Sequence, residues 1–440
     1  MPGGRQLVEE ILAKAKKVAE AAEVFLLSSE ETPLQFEANR LKSIQTKQST
    51  HLALRIIKEG RLGYATTTEP TARQGLVESA VETAHFGMPA KFELPSTTTY
   101  PPVDILDPAV ESTPIEKMGQ LGEELIAIII EHTPDIICEA MVAKETISLA
   151  LINSRGGQAS YKKSIFSLGI MGSLIRDTDM LFVGEGQSSG HPITQPQDIA
   201  RVVLNQLELA KNQASVPTRE LPVIFTPRGV ASAFIPSLMM AFNGKTVLEG
   251  ASPIGNRLGK KVFDQKISLW DDPTIAYRPH SRPCDDEGVA SQRTPLIEEG
   301  KVASFLYDLQ TAALANTRST GSGRRGGGLP VPSASTIIIA PDKTTFDDMV
   351  NDIKEGLVIE QLMGAEQGNI LGGDFSGNVL LGYKVESGKI VGRVKNTMVS
   401  GNVYQILKEV AAIGSQAEWV GGMVNTPPIY CPRLSVASKQ

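Results

Sequence analysis

Two alternating segments flank Lys58-Glu59-Gly60-Arg61, and this pattern constrains the fold more than any other feature of the chain. Residues 51–57 and 62–68 each read as a strand, and the short glycine-containing turn between them predicts a β-hairpin. Upstream, residues 23–28 read as a further strand. Residues 35–50 alternate again, with Phe36, Ala38, Leu41 and Ile44 as apolar members. Helical spacing brackets these strands. Leu7, Ile11, Leu12, Ala15 and Val18 predict a helix over 6–22, and residues 71–85 predict a second. Helix, several antiparallel strands, helix is an α+β pattern rather than a regular βαβ alternation.

The rest of the chain extends that reading. Residues 87–114 are rich in Pro and Thr and lack periodicity, as expected of a linker or an extended wrapping segment. A helix is predicted over 115–132, strands over 136–187 with a turn at Arg155-Gly156-Gly157, and a helix over 197–213. A strand at 222–225 is followed by Pro227, where a helix can start, and by a largely apolar helix over 229–242. Strands are expected at 301–307, 336–339, 378–385 and 390–395, and a last helix over 402–413. The predicted fold is α+β. An N-terminal α/β sandwich-like unit with an antiparallel sheet (1–86) is followed by a linker (87–114) and a central α+β region (115–217). A larger β-rich C-terminal domain of long antiparallel strands (218–440) completes it.

Composition narrows the function. At about 100–200 residues per domain, 440 residues predict two to three domains. Lys plus Arg is 43 against 49 for Asp plus Glu, a net charge of −6, and aromatics are 5%. That balance disfavours a nucleic-acid partner, because nothing offsets phosphate repulsion and few rings can stack on bases. Cys138, Cys284 and Cys431 lie far apart and build no disulfide framework, so a reducing cytoplasm is expected. Residues 1–17 carry no secretory-signal pattern. The longest apolar run, 125–130, is far below the ~20 residues of a membrane span, so no membrane partner is expected.

Few local motifs carry chemistry. The stretch Gly321-Ser322-Gly323-Arg324-Arg325-Gly326-Gly327-Gly328 lacks the Gly-Lys-Ser/Thr end of a nucleotide loop and reads as a surface loop. Its two arginines could hold a peptide carboxylate or a partner's acidic group. Cys284-Asp285-Asp286-Glu287-Gly288 could bind a hard cation through oxygen, with His280 as a further ligand, or could be an acidic turn. There is no Gly-x-Ser-x-Gly elbow and no His-Glu-x-x-His pair, and none of the five histidines stands in a recognised triad context.

Three ordered sets of residues resemble the TldD/PmbA family, whose members are sometimes labelled modulators of DNA gyrase. The first is Phe36-Glu37-Ala38-Asn39-Arg40-Leu41-Lys42-Ser43 with Gly60-Arg61-Leu62-Gly63-Tyr64-Ala65. The second is Cys284-Asp285-Asp286-Glu287-Gly288-Val289, then Leu296-Ile297-Glu298-Glu299-Gly300-Lys301-Val302 and Ser319-Thr320-Gly321. The third is Gly373-Asp374-Phe375-Ser376-Gly377, then Gly382-Tyr383-Lys384-Val385-Glu386-Ser387-Gly388-Lys389-Ile390 and Val399-Ser400-Gly401-Asn402.

The resemblance implies a two-component intracellular protease system. Its TldD-type subunit carries His-Glu-x-x-x-His on a helix and, with a cysteine near the C-terminus, holds zinc; its PmbA/TldE-type partner lacks the motif. Here the motif position falls on Ile235-Pro236-Ser237-Leu238-Met239-Met240, and residues 231–244 contain no His and no Glu. Ile235 and Met240 are no substitute for imidazole, and Pro236 would strain or kink a helix. Cys431 has no metal to join and is expected to be a buried or idle thiol.

The chain is therefore expected to have no catalytic residues, metal or cofactor of its own. It should pair with a TldD-like subunit, or with itself in that subunit's absence, around unfolded or small peptides that could add to a sheet edge. Asp285, Asp286, Glu287, Arg324 and Arg325 are the candidates for inner-surface or interface contacts. The rival readings are an independent hydrolase with a cation on His280, Asp285, Asp286 and Glu287, and a nucleic-acid-associated regulator.

Overall fold

The computed structural model describes residues 2–70, 75–96, 99–177 and 179–439. It is a mixed α+β structure whose N-terminal sheet is antiparallel throughout. The strands are β1 (Ala21–Glu37), β2 (Arg40–Ile44), β3 (Lys47–Lys58), β4 (Arg61–Thr67), β5 (Ile137–Asn153), β6 (Gln158–Arg176) and β7 (Asp179–Ser189). Their order is β4-β3-β1-β5-β6-β7, with β2 paired to the far end of β1. Strands from both sides of 87–114 thus share one sheet. The predicted hairpin is the β3–β4 pair, and Glu59 and Gly60 both take positive φ at its turn.

The sheet has two differently covered faces, and period-two alternation assigns residues to each. The even positions Ala22, Val24 and Leu26 pack with Leu52, Leu54 and Ile56 under α1 (Pro2–Ala15) and α2 (Leu76–Ala84). Farther along, Leu34 and Phe36 pack under α4 (Ile115–His132), whose Met118, Leu121, Leu125 and Ile129 repeat at helical spacing. The odd positions face the C-terminal half. Phe25, Leu149, Leu151 and Ala159 close over Cys284. Two-sided cover explains the five consecutive buried residues at 22–26.

The C-terminal half is β-rich and contains a five-stranded barrel. Its strands follow the order Glu355–Met363, Arg219–Phe225, Ile429–Ser438, Thr397–Asn402 and Asp374–Glu386, and the last pairs back onto the first. Around this ring only 355–363 and 219–225 run parallel. The longest strands, of 17 and 19 residues, belong to the N-terminal sheet instead. A six-stranded sheet of short strands flanks the barrel, and one apolar core joins the two.

Several predicted elements differ from the structure. The first helix ends at Ala15 rather than 22, because Ala21 and Ala22 are drawn into β1. Of the second predicted helix, residues 71–74 lie outside the described residues, and α2 begins at Leu76. The 87–114 segment does wrap: Leu94 and Ile105 are buried against the body and α3 (Pro108–Ser112) sits within it. The strand expected over 301–307 shortens to Lys301–Val302, and the last helix to Val403–Ile406.

Candidate functional site

The helix predicted over 229–242 is two short helices, α6 (Pro227–Ala233) and α7 (Ile235–Ala241). Phe234 ends one and starts the other, so Pro236 falls in the first turn of α7, where its missing N–H costs no hydrogen bond. Ile235, Leu238 and Ala241 turn into the core. Phe234 stacks there against Phe225 and Phe375, with ring centroids 4.8 and 6.1 Å away. Met240 is on the outer side, 42% exposed. Cys431 is fully buried in the strand 429–438, and burial pushes its thiol well above the usual range. The position where the resemblance would put a zinc helix thus offers no imidazole and no carboxylate, and these residues do not fit the metal.

The five charged candidates gather elsewhere. Residues 284–290 form a tight turn, with Cys284 bridged to Ala290 and Gly288 at φ +75°. Asp285 organises it. One carboxylate oxygen accepts from the backbone N–H of Glu287 (3.0 Å) and Val289 (2.9 Å), and the other from Gly323 (2.8 Å). Asp286 accepts from the Arg325 backbone N–H at 2.8 Å. A Cβ on Gly323 would lie 2.6 Å from the Glu287 carboxylate, so the two loops fit only with glycine there.

From this turn a chain of alternating charges crosses to the odd face of the sheet. Arg55 donates to Glu287 (2.6 Å) and to Glu23 (3.1 Å), and Arg325 donates to the other Glu23 oxygen. Glu287 also accepts from the Leu309 N–H at 2.7 Å. Glu23, Arg55, Glu287 and Arg325 are all buried. Burial raises the Glu23 carboxyl, and the two guanidiniums oppose that shift. Burial also works against the Arg55 charge, but Glu23 and Glu287 outweigh it and hold the guanidinium ionised. Two acids and two bases balance within this chain of four. Each member depends on its neighbours being present.

The structure therefore brings all five predicted residues together and adds Glu23 and Arg55, which sequence reasoning missed. Asp285, Asp286, Glu287 and Arg325 turn inward. Arg324 alone reaches solvent, its side chain 36% exposed.

His280 lies nearby, and its Nδ1–H donates to the Ser335 carbonyl at 3.1 Å. Its pKa is lowered to about 4, first by burial and then by Arg324 and Lys163. A histidine ringed by cations beside carboxylates tied to backbone N–H groups is a poor ligand set, which goes against the cation-dependent hydrolase. Among the described residues, no group of three or more His, Cys, Asp or Glu is arranged to hold a metal ion. Among them, too, no helix is long and apolar enough to cross a membrane.

Comparison with known proteins follows the same architecture. The family model of the PmbA/TldA metallopeptidase C-terminal domain matches residues 218–438, and that of domain 1 matches residues 22–84. An uncharacterized protein of Methanocaldococcus jannaschii is 27% identical over 434 residues, covering 96% of this chain and 98% of its own. A metalloprotease PmbA homolog of Haemophilus influenzae is 24% identical, with 94% and 92% covered. The crystal structure of TldE from Thermococcus kodakarensis superposes with a TM-score of 0.89 at 21% identity, over 98% of this chain and 100% of that one. With the C-terminal match spanning half of the sequence, the chain belongs to the PmbA/TldD metallopeptidase family.

Proposed function

We propose that this chain is the zinc-less, PmbA/TldE-type subunit that partners a TldD-type metallopeptidase in trimming unfolded and small peptides in the cytoplasm. One observation carries the reading. Where the family's zinc helix is expected, Ile235 and Leu238 pack into the core, Met240 carries no suitable donor, and the helix is broken at Phe234. The whole-length likeness to TldE supports the same assignment. The chemistry of peptide cleavage then belongs to the partner, whose zinc would acidify water and polarise the scissile carbonyl. This chain's share is to help enclose the partner's site and to receive an extended segment. An unfolded peptide can pair with a sheet edge through backbone hydrogen bonds, whatever its sequence.

The test is a peptidase assay of the chain alone and mixed with a TldD-type subunit, with and without a chelator, alongside co-purification of the two. The chain alone should cleave nothing. The mixture should co-purify and cleave unfolded peptide, and the chelator should abolish that cleavage. Unaided cleavage by the isolated chain, or no association at micromolar concentration, overturns the assignment.

A further inference from the structure

Next to the ion-paired network lies a second cluster of cations held to carboxylates only at long range. Arg282 is 1% exposed, yet its Nε and one Nη find no hydrogen-bond acceptor among the described residues. Its other Nη reaches only the Gly321 carbonyl at 3.4 Å, and the nearest carboxylate oxygen, on Asp286, is 3.9 Å away. Arg324 approaches the other Asp286 oxygen, also at 3.9 Å, so the two guanidiniums straddle one carboxylate without a close hydrogen bond to it. Asp286 meanwhile accepts from the Arg325 backbone.

Lys163 projects from the odd face of β6 into the same region. It is 8% exposed and spends one donor on the Pro279 carbonyl at 2.8 Å. Asp271 and Asp285 also feel the Arg282 charge; Asp271 accepts through one oxygen from Ser335 and the Thr336 N–H, and Asp285 is held by backbone N–H groups. Glu145, which faces Lys163 from β5, is raised by burial, with Glu31 adding to the shift.

We propose that Lys163, Arg282 and Arg324 form a binding site for an oxyanion, a carboxylate or phosphate group, at the seam between β6 and the 280–325 segment. Two guanidiniums and an ammonium present planar and point donors that such a group accepts, and charge-assisted bonds of this kind are the strong ones. A buried cation short of acceptors is costly, and an incoming anion relieves that cost for Arg282 while also engaging Lys163 and Arg324. The unequal burial gives the site its access: Arg282 and Lys163 form the floor, and the partly exposed Arg324 stands at the rim. Arg324 and Arg282 also lower the Lys163 pKa beyond the effect of burial, and Arg282 lowers that of Arg324, as expected where the cations converge. The site is independent of the partner assignment above, since every group in it belongs to this chain.

The full chain is titrated calorimetrically with inorganic phosphate, with a short unstructured peptide ending in a free carboxylate, and with the same peptide amidated, all at constant ionic strength. Saturable binding of phosphate, or of the free-acid peptide at least tenfold more tightly than the amide, is the expected result, and the two probes identify the source of the anion. Arg324→Gln should weaken that binding about tenfold and leave the anion-free thermal midpoint unchanged, because its side chain is partly exposed and comes no closer than 3.9 Å to Asp286. Lys163→Met should weaken it as well. Absence of saturable binding by all probes, or equal affinity in Arg324→Gln, overturns the site. Neither result bears on whether the chain supports cleavage by a partner.

Discussion

Two charged clusters lie side by side between the N-terminal sheet and the 280–325 segment, and they are built on opposite principles. In the first, Glu23, Arg55, Glu287 and Arg325 alternate in sign, and Arg55 and Arg325 reach their carboxylates directly. The two arginines also lie over the Phe92 and Phe25 rings. In the second, Arg282 and Arg324 approach Asp286 only at 3.9 Å beside Lys163 and His280, and two of the buried Arg282 donors have no acceptor among the described residues. Paired charge in an interior fixes geometry, whereas surplus charge of one sign stores a readiness to bind or to lose protons. The contrast locates the scaffold in one cluster and the receptive chemistry in the other.

Substitutions in the two clusters should differ in size and in sign. Arg55→Ala leaves Glu23 and Glu287 facing each other in the interior, and should lower the unfolding free energy by about 3–5 kcal/mol in a denaturant titration. A near-neutral result would remove the first cluster from the scaffold.

His280 tests the second through pH. Its folded pKa, near 4, lies below the ordinary 6.5, so between those values the unfolded chain holds a proton that the folded chain does not. Its contribution to stability therefore rises from pH 4 to 6.5 and is flat beyond. His280→Asn should erase that rise, up to about 3 kcal/mol in the variant-minus-parent difference. Subtraction cancels the opposite trends from buried acids such as Glu23 and Asp308, which are common to both proteins.

Lys163→Met should give the smallest change, with the sign reversed. Burial, Arg324 and Arg282 lower the lysine to about 8, so its charge is unfavourable at pH 7. The apolar replacement should stabilise by about 1 kcal/mol. Above pH 8 the folded parent sheds the proton while the unfolded chain keeps it, so the parent recovers and the advantage of the variant fades toward pH 10.5. A destabilised Lys163→Met at neutral pH would mean that the ammonium is fully satisfied where it stands.

The local elements were legible where a single period or turn decides them. The 58–61 hairpin and the helix over 115–132 follow from alternation and helical spacing, and Pro236 does interrupt the predicted helix. The helix expected to run to 22 was lost because strand pairing with β3 and β5 overrode a modest helical pattern. The five charged candidates were found as motifs, but the inward orientation of Glu287 and Arg325 was not, since it is set by partners more than 200 residues away. The signal for those partners was present. Glu23 stands alone in Ala21-Ala22-Glu23-Val24-Phe25, and Arg55 alone in Leu52-Ala53-Leu54-Arg55-Ile56. A lone charge on a strand otherwise destined for the interior requires a counter-charge on another element.

All seven strands of the first sheet lie before residue 190, so its ladder can be complete while the later half of the chain is still being synthesised. At that stage Phe25, Leu149 and Leu151 have nothing over them, and Glu23 and Arg55 have only each other. Arrival of Cys284, Glu287 and Arg325 seals the apolar patch and closes the ionic chain in one docking event. The nascent protein thus carries an uncovered apolar patch from completion of the sheet until residues 284–325 emerge, and the Arg325–Glu23 bridge marks the moment that exposure ends.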